Sequence, residues 1–194
     1  MNTDQPDLLS AKAREALRLD ALTAYSKLVP SSKGPDIAHA LLQALAVDQL
    51  LNQFTFDPQA GRAMLAGLWL WHDFLDESHA LSQQIDSPTG ALWHAIMHRR
   101  EGDFSNSKYW LARCKDHPIY ASLAVRADDV IRSYPADKSV FRLTSQGWNA
   151  GALVDLVETV HNKPADPRHR LAVSLQQLEW RLLFDHCTRS AAGD

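Results

Sequence analysis

Apolar residues recur at three- and four-residue steps along nearly the whole chain, the period of an α-helix that buries one stripe. Leu8, Leu9, Ala13, Ala16, Leu17, Leu19, Leu22 and Tyr25 fall on such a stripe and predict a first helix. The segment Pro30-Ser-Ser-Lys-Gly-Pro35 ends it. Pro35, in a first helical turn, then opens a second helix over 36–53, with Ile37, Leu41, Leu42, Leu45 and Leu50 facing inward. A turn at 54–58 leads to a third helix starting near Gln59. Strand-like alternation is scarce, and its best stretch is 139–143. Glycine and proline fall mainly at joints, among them Pro88, Gly90, Gly102, Pro118, Pro135, Gly147 and Pro164. A last helix runs from about Asp166 into Cys187, followed by a tail, 190–194, expected to fray. The pattern predicts an all-α protein of about eight helices in one domain. Residues 1–57 supply N-terminal helices, 58–120 a hairpin repeat core, and 121–194 C-terminal helices.

The segment 69–120 holds five of the nine His and four of the six Trp, and it nearly repeats itself. A shift of thirty residues places Asp73-Phe74 on Asp103-Phe104 and Asp86-Ser-Pro88 on Asp116-His-Pro118. In TGALWHAIMHRREGDFSNSKYWLARCKDHP an apolar helix ends at Gly102, Ser105 or Asn106 can cap a second helix, and Pro118 marks that helix's end. This order resembles the tetratricopeptide pattern, with a period of thirty against that family's usual thirty-four or so. The resemblance implies an inner helix over 93–101 whose polar side chains line a groove. The same block, on His79, Gln83, Trp93, His94, His98, Arg99, Arg100, Glu101, Gly102, Asp103, Asn106, Tyr109 and Trp110, resembles a family of uncharacterised bacterial proteins. That likeness brings no activity with it and only concentrates attention on these positions.

Composition narrows the classes. With 45% hydrophobic and 22% charged residues, the chain has ample material for a core. A net charge of −3 with scattered basic residues gives no footprint for nucleic acid. No apolar run approaches a membrane span, and the N-terminal residues lack a secretory signal's features, so a cytoplasmic protein is expected. Cys114 and Cys187 are then expected to be reduced.

Candidate chemistry centres on histidine. His94 and His98 are four residues apart, one helical turn, and can grip one divalent ion together. His79 joins them if the two hairpins lie side by side, and Glu101 follows three residues after His98. Were 59–86 one continuous helix, His72, Asp76 and His79 would form a second stripe; the repeat instead places 73–76 in a turn. A different set, His39, His72-Asp73 and Asp128, resembles the HD-type phosphohydrolases, and that resemblance implies two His and two Asp holding a metal that activates water.

Arg99 and Arg100 point about 100° apart on a helix, so only one can face a given groove. A guanidinium there favours a carboxylate or phosphate ligand, whereas pairing with Glu101, Asp103 or Asp116 makes it structural. The reading is a helical binding or scaffold domain. Its polar groove of His79, Gln83, His94, His98, Arg99, Arg100, Glu101, Asn106 and Tyr109 accepts an anionic small molecule or peptide, with a divalent metal ion as the candidate cofactor. An HD-type enzyme is the alternative.

Overall fold

In the computed structural model, residues 8–55, 57–114, 116–134 and 138–194 are described, and they contain nine α-helices and no strand. α1 (Ala11–Arg18) and α2 (Asp36–Gln43) form an N-terminal flank. α3 (Pro58–Trp71) and α4 (Leu75–Ser82) make one hairpin, and α5 (Pro88–Glu101) and α6 (Phe104–Leu111) make the next. α7 (Ile119–Arg132), α8 (Ala150–Val160) and the long α9 (Pro167–Ala192) complete the array. α4 packs on α5 and so joins the hairpins, while α9 runs against α3, α7 and α8 as a spine.

The thirty-residue period is deeper than the doublets that suggest it. Pro58, Pro88 and Pro118 each stand at the start of a 14-residue helix, the first two inside it and the third as its cap. The two hairpins then fold alike, with an 8-residue return helix after a tight turn. Region 59–86 is therefore a hairpin, and the stripe of His72, Asp76 and His79 does not form. Asp73, at φ 63°, reverses the chain between α3 and α4. In the second hairpin Gly102 takes the left-handed cap of α5 at φ 89°, a conformation that costs a residue without Cβ little. Asp103, and not Ser105 or Asn106, caps α6 by accepting the Asn106 backbone N–H.

Elsewhere the apolar period overran the helices. α1 ends at Arg18, because Leu19 is extended and Asp20 turns back at φ 49°, so Leu22 is 99% exposed while Tyr25 is buried by a separate turn. α2 stops at Gln43, leaves Ile37 exposed, and is followed by a 3-10 turn at Val47–Gln49 that buries Leu50. Lys138–Leu143 is a 3-10 helix and not a strand. The C-terminal end is ordered helix: Ala191 and Ala192 are buried, and the Ala192 carbonyl accepts from Gln53 Nε2.

α5 is the central element, buried without a break from Gly90 to Arg100. Trp93 packs on Trp180 and against Gly67, where a Cβ would meet the indole at 2.8 Å; the missing side chain lets α3 and α5 approach. Trp180 donates its indole N–H to the Gly67 carbonyl at 2.9 Å and stacks on Phe184. Arg99 is fully buried and bonds Glu179 of α9, itself fully buried. Arg100, equally buried, donates to Asp73 and to the carbonyls of Leu70 and Lys27, and its guanidinium lies 3.9 Å from the Tyr25 ring centre. Desolvation alone would penalise the Arg99 charge, but the Glu179 carboxylate more than restores it and raises the pKa above the ordinary arginine value.

Removing one member of such a pair leaves a bare buried charge. We predict that Glu179→Ala lowers unfolding free energy by about 3–5 kcal/mol. Arg99→Met combined with Glu179→Leu should cost clearly less than the single change, because neither charge is stranded. Urea denaturation at pH 7 measures both, and a mild single substitution would show that the pair does not anchor α5 to α9.

Candidate metal centre

With Arg99 and Arg100 turned into the core, a different face of α5 carries His94 and His98. The two rings stack at 4.8 Å between centroids with planes 20° apart. α4 lies alongside and presents His79 edge-on to both, at 4.6 Å from His94 and 5.4 Å from His98. One ring nitrogen from each of the three lies within 4.8 Å of the others. Among the described residues this is the only group of three or more His, Cys, Asp or Glu side chains that converges so closely.

The three rings differ in what they already hold. His98 Nδ1 faces Glu101 Oε2 at 3.1 Å, and its Nε2 faces Asn106 Nδ2 at 3.1 Å. An amide N–H can only donate, so Nε2 accepts and Nδ1 carries the proton that Glu101 receives. His94 is only 3% exposed, yet among the described residues neither of its ring nitrogens has a hydrogen-bond partner. Its faces are covered by Trp110 of α6, stacked at 4.0 Å, and by His98. Burial, together with the neighbouring His98 and His79, pushes the His94 pKa down to about 4. His94 is therefore a neutral ring near pH 7 with an uncommitted lone pair.

Outside the three rings, the sequence-derived groove is only partly assembled. Glu101 and Asn106 join the cluster through His98. Gln83 is exposed at the end of α4, where its backbone N–H bonds the His79 carbonyl. Tyr109 is exposed and accepts a bond from Arg113 at 2.6 Å. Arg99 and Arg100 are corrected outright: neither faces the groove, and their partners are Glu179 and Asp73 instead of Glu101, Asp103 or Asp116. Trp110 covers one face of His94, and the Arg113 guanidinium lies 4.8 Å from the Trp110 ring centre. No sequence spacing marks Arg113, which joins only because α6 is followed by a further turn.

The HD-type set is not drawn together. His39 faces Glu77 at 3.2 Å beneath Trp69 and Phe74. His72 donates to the Ala16 carbonyl at 2.8 Å, Asp73 is held by Arg100, and Asp128 accepts from Thr144 at 2.7 Å. Cys114 and Cys187 are buried, unpaired thiols whose pKa burial raises to about 12, which leaves them neutral and poor nucleophiles. No helix among the described residues is long and apolar enough to cross a membrane. No family model, curated protein or solved structure matches the chain.

His117, buried beside His186 and bonded to Thr89, is also pushed down to about 4 by burial and the neighbouring His186 together. For His94 and His117 the folded pKa lies below the unfolded value of about 6.5, so the unfolded chain binds more protons in acid. Their stabilisation is complete above about pH 6.5 and is lost as pH falls toward 4. Each can steepen the decline by up to about 1.4 kcal/mol per pH unit. We predict that the urea midpoint of the metal-free protein drops between pH 7 and 4.5, and that His94→Phe flattens the slope. A midpoint insensitive to pH over that range would contradict the buried neutral rings.

Proposed function

We propose that the protein is a helical binding module that takes one divalent first-row transition ion on His79, His94 and His98 and uses it to hold an anionic ligand. The observation that carries this reading is His94: a buried imidazole with two unpartnered nitrogens, beside two further imidazoles. Buried polar groups are nearly always hydrogen-bonded, and an unsatisfied one asks for a partner. Imidazole suits zinc, copper, nickel or iron, and three neutral ligands leave the ion its full charge and an open coordination position. In a tetrahedral site with bonds of about 2.0–2.1 Å, ligand nitrogens stand about 3.3 Å apart. From their present separation of up to 4.8 Å the ring nitrogens would have to close to that spacing by rotation of the side chains.

The Glu101 carboxylate supports the same reading. A carboxylate that receives the second N–H of a ligand histidine fixes its tautomer and strengthens it as a donor. With Arg99 and Arg100 committed to the core, the charge that attracts an anion would come from the ion. A carboxylate or phosphate oxygen of a small molecule or peptide would complete its coordination.

The test is a titration of untagged, metal-stripped protein with zinc and with cobalt. One ion per chain is expected, with His94→Ala reducing affinity at least about tenfold while circular dichroism stays helical. Uptake of no ion, or uptake unaffected by His94→Ala, would overturn the proposal.

A further inference from the structure

The metal reading, on which this inference rests, leaves a conflict at His98. Glu101 holds Nδ1 and its proton, so Nε2 is the nitrogen left to bind an ion. That lone pair is already engaged by the Asn106 side chain at 3.1 Å. Asn106 lies in the first turn of α6, anchored through its backbone N–H to Asp103 Oδ1 at 3.0 Å, and its side chain is partly exposed. Its amide also interacts with the Asp103 carboxylate, but the backbone N–H alone holds the helix cap, so the amide can leave His98 while the cap stays in place.

We infer that Asn106 is a built-in competitor for the metal, an amide that occupies the His98 lone pair in the metal-free protein and must be displaced when the ion binds. A donor N–H and a metal ion cannot share one lone pair, so every gain in the hydrogen bond is a loss in apparent affinity. The same bond keeps His98 in its Nδ1–H tautomer, with Nε2 unprotonated and aimed toward α6, and so presents the ligand atom while holding it in check. Asn106 is a positioning residue with a defined cost to binding: it tunes the ion concentration at which the site fills.

The experiment compares wild type with Asn106→Ala by zinc competition against a chromophoric chelator. In parallel, ¹⁵N shifts of the His98 ring report its tautomer with and without zinc. A hydrogen bond of ordinary net strength predicts about three- to tenfold tighter zinc binding in Asn106→Ala. In metal-free wild type, Nδ1 should be protonated and Nε2 should not, and the Nε2 signal should shift on zinc addition. Equal or weaker zinc binding by Asn106→Ala, with wild type binding zinc, overturns this inference alone. So does a metal-free His98 protonated on Nε2. Failure of both proteins to bind zinc overturns the metal reading together with it.

Discussion

Two buried guanidiniums at the end of α5 fix how that helix is rotated, and the rest of the array follows from that rotation. Arg99 reaches α9 through Glu179, and Arg100 reaches the α3–α4 turn through Asp73 and Leu70 and the N-terminal flank through Lys27. A charge taken out of water is tolerated only where an opposite charge and hydrogen bonds meet it, and for each guanidinium that partner exists at one angle. Apolar packing alone would set α5 less firmly, because the helix is buried on all sides and offers no single apolar stripe. The ion pairs thus act as a register key, with Trp93 against Trp180 and Gly67 filling the space between them.

With that rotation set, His94 and His98 have one place to go. They turn toward α4 and α6, where His79 and Trp110 meet them. Stacking between Trp110 and His98 excludes water from His94 and keeps it neutral, so the same packing that stabilises the hairpin pair creates an imidazole with no partner. Glu101 and Asn106 then divide the two nitrogens of His98 between a proton acceptor and a donor.

Much of this was legible in the chain. The helical period, the Asp-aromatic doublets and the prolines implied repeated hairpins, and the i, i+4 spacing of His94 and His98 with His79 in the preceding unit pointed to the cluster. Helix ends in the flanks were not, because an apolar stripe continues through Leu19 and Leu22 although Asp20 reverses the backbone. The fate of Arg99 and Arg100 was hidden for another reason. Asp73 is 27 residues from Arg100, in the turn of the preceding hairpin, and Glu179 is 80 residues from Arg99 on α9, so nothing local distinguishes a core arginine from one in a groove. That Trp110 stacks on a histidine, His94, was equally invisible, because it depends on how α6 folds back on α5.

The function proposed for the protein requires His79, His94 and His98 to act as one ligand set. X-ray absorption at the zinc edge of the zinc-loaded protein addresses this directly, since imidazole rings give a distinct outer-shell scattering pattern. The account predicts nitrogen and oxygen ligands only, at about 2.0–2.1 Å, with the signature of three imidazoles. A spectrum with one imidazole or none, or with sulfur in the first shell, would contradict it.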